Sequence, residues 1–80
     1  MTLKDFIKVF NNETRFLIIG GRPEDDNYSI LFSNVTNTDP VDIDVFDNEL
    51  FKDYTNIVTV ELEFDIQNDT SYICIYVTKD

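Results

Sequence analysis

The segment Val60–Ile66, VELEFDI, alternates apolar and acidic residues without a break. Successive side chains of a β-strand point to opposite faces of a sheet, so this alternation predicts a strand with one apolar face and one acidic face. Glu61, Glu63 and Asp65 then share the acidic face. We therefore expect a sheet that leaves one face to water, as antiparallel sheets can do.

This strand is expected to belong to a hairpin. The predicted strand Ile57–Ile66 is followed by a polar turn, Gln67–Thr70, and by an antiparallel return strand, Ser71–Val77. Pairing Ile66 with Ser71 places Glu61 opposite Tyr76, Glu63 opposite Cys74, and Asp65 opposite Tyr72. The other face is predicted to be the core, and it collects Val58, Val60, Leu62, Phe64, Ile66, Ile73, Ile75 and Val77.

The N-terminus predicts a helix. Thr2 is a suitable N-cap, and Asp5 suits the positive end of the helix dipole. The apolar residues that follow have the spacing of a single helical stripe; they are Leu3, Phe6, Ile7 and Phe10. Asn11-Asn12 is expected to end the helix, because Asn tolerates the left-handed conformation of a C-cap.

The middle of the chain predicts a second hairpin and a helical connection. A buried strand over Arg15–Ile19 ends at Gly20-Gly21, the loop GGRPEDDN follows, and Tyr28–Ser33 is the partner strand. After a polar loop, Asn34–Pro40, the alternation over Val41–Val45 predicts a short strand. Asp47 is expected to cap a short helix that runs through Asp53.

These elements define a fold class. The predicted order is α-β-β-(β)-α-β-β in a single small α+β domain over residues 1–80, with a mainly antiparallel sheet and its helices on one face. The 80 residues are 42% hydrophobic and include seven Phe and four Tyr, which argues for a folded domain despite a net charge of −10.

The negative charge is concentrated in the second half of the chain. Residues 39–69 contain ten acids and one base, Lys52. The ten acids are Asp39, Asp42, Asp44, Asp47, Glu49, Asp53, Glu61, Glu63, Asp65 and Asp69. Such a surface repels nucleic acid and anionic membranes and favours a cationic partner.

No apolar run is long enough for a transmembrane helix, and the single cysteine, Cys74, is expected to be a buried thiol in a cytoplasmic protein.

Neither catalysis nor metal binding is indicated. The chain contains no His, and Cys74 has no activating partner, so we expect no enzyme and no cofactor. The acids of DPVDIDVFDNE (Asp39 to Glu49) resemble a calcium loop only in part. Counted from Asp42, the third acid, the Gly and the closing Glu are replaced by Phe46, Asp47 and Asp53, so no metal site is expected.

The acidic strand has a spacing that suits a nucleic-acid groove. Alternate residues of a strand lie about 6.7 Å apart, twice the ~3.3 Å rise. Successive phosphates along one DNA strand advance about 6.8 Å over two steps. A row of alternate carboxylates can therefore present negative charge at nearly the pitch of a DNA backbone.

Three segments carry a family resemblance: MTLKDFIKVF, RFLIIG, and Glu49 to Val77 (ELFKDYTNIVTVELEF … TSYICIYV). They resemble small acidic proteins of Firmicutes and their phages, which open with an "LKD" helix and close with a short helix and a hairpin. The absence of Ala and the scarcity of Gly, Pro and Arg also favour an AT-rich genome. In size and acidity the chain looks like DNA-mimic inhibitors of CRISPR and restriction systems, which share charge and no motif.

These observations favour one function and leave an alternative open. The first is a phage-encoded inhibitor in the host cytoplasm, anti-CRISPR before anti-restriction, that occupies the cationic nucleic-acid groove of a Cas effector or restriction enzyme. Charge would come from Glu61, Glu63, Asp65, Asp42 and Asp44, with Tyr72 and Tyr76 as anchors. The alternative is a protein–protein module without DNA mimicry, such as a phage accessory or an antitoxin-like partner. Monomer and homodimer both stay open.

Overall fold

A computed structural model describes residues 2–11, 13–36 and 42–79 of the chain. Four strands form one sheet in the order β2-β1-β4-β3. The strands are β1 (Phe16–Gly20), β2 (Ser29–Ser33), β3 (Asn56–Asp65) and β4 (Thr70–Thr78). The helices are α1 (Leu3–Ile7), a 3₁₀ helix (Ile43–Asp47) and α2 (Glu49–Lys52). The protein is thus a small α+β domain.

The sheet is mixed, which corrects the predicted mainly antiparallel arrangement. β1 pairs with β2 and β3 pairs with β4, both antiparallel, but the central pair, β1 with β4, is parallel. Sequence patterns report the two hairpins because their strands are neighbours along the chain. The helical connection between the hairpins is long enough to carry the chain back across the sheet, so that β4 lies parallel to β1.

The strand predicted over Val41–Val45 is wrong. Ile43–Asp47 is a 3₁₀ helix, and Asp42 is its N-cap, whose carboxylate accepts a 3.1 Å hydrogen bond from the Asp44 amide. Val41 lies outside the described residues. The period-2 pattern was misleading because Asp favours a side-chain bond to the backbone two residues on, which starts a turn.

The helix predicted from Asp47 to Asp53 is also shorter and starts later. α2 is capped by Asn48, whose side-chain oxygen accepts a 3.0 Å bond from the Leu50 amide. Asp47 pairs instead with Lys4 of α1, with 2.8 Å between the carboxylate oxygen and Nζ. Its side chain therefore holds two helices together rather than capping one.

The N-terminal helix starts as predicted and ends earlier. The Thr2 hydroxyl accepts a 3.1 Å bond from the Asp5 amide, which confirms the N-cap. The α-helix ends at Ile7, not at Phe10. The amides of the next residues bond three positions back, from Val9 to Phe6 at 3.3 Å and from Phe10 to Ile7 at 3.0 Å. The chain therefore leaves the helix through a tightened turn.

The core lies between the helices and one face of the sheet. Its buried members come from both layers: Leu3, Ile7, Phe16, Ile18, Phe46, Phe51, Ile75 and Val77. Four phenylalanine pairs pack edge to face with ring centroids 5.1–5.5 Å apart, and two of them, Phe10 with Phe16 and Phe32 with Phe46, join the helical layer to the sheet. Such pairs add about 0.5–1.5 kcal/mol beyond the area they bury. The aromatic content thus compensates for the small size of the domain.

Asn34 joins the ends of β1 and β2 inside the protein. It is 3% exposed. Its side-chain oxygen accepts a 2.6 Å bond from the Phe16 amide, and its side-chain nitrogen donates to the Thr14 carbonyl at 3.2 Å. Its own amide donates to the Phe16 carbonyl at 3.2 Å. Asn34 therefore satisfies backbone groups where β1 begins and β2 has just ended.

We expect replacement of Asn34 by Ala to lower the free energy of unfolding by about 1–3 kcal/mol, because it leaves the Phe16 amide buried without a partner. Urea denaturation measures this value. Asn27→Ala in the exposed loop is the control, and it should change stability by less than about 0.5 kcal/mol. Equal stability of the two variants would contradict this role for Asn34.

Candidate functional site

The register of the β3–β4 hairpin differs from the predicted one by two residues. Glu61 lies opposite Cys74, Glu63 opposite Tyr72, and Asp65 opposite Thr70. The turn is Ile66–Asp69 rather than Gln67–Thr70. A shift of two residues changes the partners of each side chain but keeps its face, because the side-chain period of a strand is two.

Asp65 fixes this register. Its carboxylate accepts bonds from the amides of Gln67 at 3.0 Å and Asn68 at 3.3 Å, and from the Asn68 side chain at 2.7 Å. The Asn68 side-chain bond is the main cause that lowers the pKa of Asp65. Asp69 completes the turn with a φ of 50°. Asp65 thus stabilises the turn above its ordinary titration range, and this contribution is lost as the pH falls through its lowered pKa.

The face of the sheet away from the helices carries two of the predicted acids and both predicted tyrosines. Glu61 and Glu63 on β3 alternate with the residues that point to the core side, and on β4 the same face carries Tyr72 and Tyr76. We name these four residues the acidic-tyrosine face. Neither glutamate forms an ion pair within the described part of the chain, and both are exposed.

The pKa values of both tyrosines and of Cys74 are raised, chiefly by hydrogen bonding or burial and to a smaller extent by the glutamates. Hydrogen bonding to the Cys74 thiol, burial, and the charges of Glu61 and Glu63 together raise the pKa of Tyr76 to about 12. Burial and the charge of Glu63 raise the pKa of Tyr72. Burial, more than the two glutamates, also raises the pKa of Cys74, which is 3% exposed. All three groups therefore stay protonated at neutral pH.

Asp42 and Asp44 do not join this face. They lie on the 3₁₀ helix, which packs on the opposite face of the sheet through Phe46. The carboxylate of Asp44 lies 3.3 Å from Nζ of Lys4. Five predicted acids therefore separate into three positions: Glu61 and Glu63 on the open face, Asp65 at the end of β3 with its carboxylate bonded to the turn, and Asp42 and Asp44 among the helices.

An apolar stripe that runs along the other face of β3 and into the turn is exposed, although the alternation predicted it to be core. Its members are Val60, Leu62, Phe64 and Ile66, which are 41%, 79%, 53% and 85% exposed. The remaining members of the predicted core behave differently, because Ile75 and Val77 are buried and Ile73 packs against the cluster. A bulge between Ile57 and Thr59 also places Ile57, rather than Val58, against the core.

The stripe is exposed because the helices are too short to cover it. The 10-residue strand β3 extends about 33 Å at ~3.3 Å per residue. The 5-residue helix α1 is only about 7.5 Å long at ~1.5 Å per residue. Alternation in the sequence indicates which residues share a face, but it does not indicate how far another layer covers that face.

β3 is also an edge strand. It pairs with β4 on one side, and no strand within the described ranges pairs with its other side. Its outer backbone amides and carbonyls are thus open to an added strand. The hairpin combines three surfaces on one element: an acidic-tyrosine face, an apolar stripe and an unpaired edge.

Other kinds of site find less support. A cleft of about 180 Å³ lies between the helices, lined by Leu3, Lys4, Phe46, Phe51 and neighbouring residues. Pockets for small molecules typically enclose about 300–1,000 Å³. Within residues 2–11, 13–36 and 42–79, no three acidic or cysteine residues group as metal ligands. No helix in this same part of the chain is long and apolar enough to span a membrane.

No protein family, no curated protein sequence and no solved structure matches this chain significantly. The fold and the hairpin geometry define a class at the level of architecture, a small α+β domain with a mixed four-stranded sheet.

A titration of tyrosinate absorbance should detect the acidic-tyrosine face. We expect a late component near pH 12, above the ordinary value of 10, and Tyr76→Phe should remove it. Because the raised pKa belongs to the folded state, the contribution of Tyr76 to stability should be lost as the pH rises from 10 through 12. Changing Glu61 and Glu63 together to Gln should lower the pKa of Tyr76. A titration unchanged by that double substitution would contradict the coupling.

Proposed function

We propose that this chain is a non-enzymatic inhibitor that binds a cationic groove of another protein through its acidic-tyrosine face. One observation carries the proposal: Glu61 and Glu63 are exposed on the same sheet face as Tyr72 and Tyr76, and they form no ion pair within residues 2–11, 13–36 and 42–79. Unpaired carboxylates attract a cationic surface, and Tyr is enriched among the residues that dominate binding energy at interfaces.

The spacing of the carboxylates on this face resembles that of DNA phosphates, and this resemblance suggests a DNA-binding protein as the target. Side chains two residues apart on β3 repeat at about 6.7 Å, close to the ~6.8 Å that two phosphate steps advance along DNA. We propose that the protein is phage-encoded, acts in the host cytoplasm and competes with DNA for a defence nuclease. A Cas9-type effector is the first candidate because arginines read its PAM, and a restriction enzyme is the second.

The proposal is narrower than the sequence pattern suggested. Asp65 stabilises the turn, Asp42 caps a helix and Asp44 pairs with Lys4, so these three acids already have structural partners. The imitation of DNA would therefore depend on Glu61 and Glu63, supported by the overall charge of −10.

A second candidate is a protein–protein module that does not imitate DNA. The apolar stripe favours it, because Leu62 is 79% exposed and Phe64 is 53% exposed on an ordered strand. Contiguous apolar patches of about 300–600 Å² are the largest found on typical monomers, and they often mark interaction sites.

Competition with DNA tests the first candidate. We expect the protein to displace target duplex from a guide-loaded Cas9-type effector, or cognate duplex from a restriction enzyme. Changing Glu61 and Glu63 to Gln should slow association about tenfold at low ionic strength, because it removes two steering charges while keeping side-chain shape. Stopped-flow binding over a salt series measures this rate.

The matched control removes two charges elsewhere. The control variant carries Glu24→Gln and Asp26→Asn. Both residues are in the exposed loop after β1, at the end of the sheet away from Glu63. Asp25 is kept because it accepts a 2.8 Å bond from the Arg22 amide. The control should alter association much less than the strand variant. Equal effects of the two variants, or binding that saturating duplex fails to block, would contradict DNA mimicry.

A further inference from the structure

We infer that the outer edge of β3 binds an extended segment of a partner protein, in which basic residues alternate with apolar residues. The segment would add a fifth strand to the sheet. This inference does not require a nucleic-acid groove, and it stands if competition with DNA fails.

The first support is the open edge. β3 has 10 residues, whereas β2, the strand at the other end of the sheet, has 5. Proteins usually shorten, twist or cover an edge strand, because unpaired amides and carbonyls recruit other chains. The bulge of β3 lies near its start, between Ile57 and Thr59, so the ladder from Thr59 to Asp65 is regular and available.

The second support is the difference between the two faces along this edge. On one side of the sheet a neighbouring strand would meet Glu61 and Glu63, and on the other it would meet Val60, Leu62 and Phe64. Opposite charges and apolar pairs that lie across from each other on neighbouring strands both stabilise the pairing. A strand with Lys or Arg toward the glutamates and branched apolar residues toward the stripe complements both faces at once.

Charge argues against a second copy of the chain as the occupant. Two β3 strands could pair antiparallel so that the acidic faces of both copies lie on one side of the sheet and the apolar stripes on the other. Odd-numbered residues of one copy then lie opposite odd-numbered residues of the other. If the point of symmetry between the two strands lies anywhere from Val60 to Phe64, a carboxylate of one copy lies opposite or diagonal to a carboxylate of the other. The carboxylates concerned are those of Glu61, Glu63 and Asp65. Like charges in those positions destabilise the pair, and each copy carries −10 overall. The same acids that oppose self-pairing favour a basic strand.

Peptide binding followed by NMR tests the inference. The probe is a peptide of about eight residues that alternates Lys and Val. We expect it to protect the outward-facing backbone amides of Thr59–Asp65 from exchange and to bind more weakly as salt increases. A peptide of the same composition with Lys and Val in pairs should not protect them, because its side chains cannot separate onto two faces. Alternate N-methylation of the probe along one edge should also abolish the protection.

Two matched variants locate the site. Leu62→Gln should weaken binding of the alternating peptide about tenfold or more, because the peptide no longer buries a leucine there. Ile30→Gln, on the edge strand β2, is the control and should leave binding unchanged; Ile30 is 62% exposed and Leu62 79%, so neither change disturbs the core.

Three results would overturn the inference. Equal binding of the alternating and paired peptides would show that charge alone attracts them. Unchanged affinity of the Leu62→Gln variant would exclude the stripe. Protection of the β3 amides that grows with protein concentration, without peptide, would identify a second copy as the occupant.

Discussion

The parallel pairing of β1 with β4 is the constraint on which the rest of the structure depends. It places the two strands with the most deeply buried side chains, among them Ile18 and Ile75 at 0% exposure, side by side in the centre of the sheet. Each central strand then keeps its hairpin partner on its outer side. β3 becomes an edge strand for this reason, although five of its ten residues are apolar.

The small size of the helical layer determines how much of β3 is covered. Helices of five, five and four residues cover the centre of the sheet, where Phe46 and Phe51 meet the core. The Lys4 contacts with Asp44 and Asp47 connect α1 to the 3₁₀ helix. Nothing in this layer reaches the far half of the hairpin within the described residues. The apolar side chains of that half are exposed because no helix in the described part of the chain lies above them.

The sequence was most informative where chemistry is local. The Thr2 cap, the strands around Ile18 and Ile75, and the faces of Glu61 and Glu63 all follow from side-chain period or backbone capping, which neighbouring residues determine. The parallel central pair, the exposure of Leu62 and the position of Asp44 could not be predicted in this way. Each depends on which distant element lies opposite, and periodicity contains no information about that. Asp42 shows the limit of prediction from spacing, because its spacing fitted a strand but its side chain caps the 3₁₀ helix.

The open edge of β3 is suited to pairing with another strand, and the acids on β3 oppose unwanted pairing. A long, regular and partly apolar edge invites aggregation, and a charge on the strand is a common protection against it. Glu61 and Glu63 supply that charge without ion pairs in the described part of the chain. The Cys74 hydrogen bond, burial and the charges of these glutamates together raise the pKa of Tyr76 to about 12. Purely protective acids would be equally effective on a strand with a polar second face. The exposed stripe opposite them adds an apolar surface that solubility does not require, and this surface supports the proposal that the edge binds a partner strand with complementary faces.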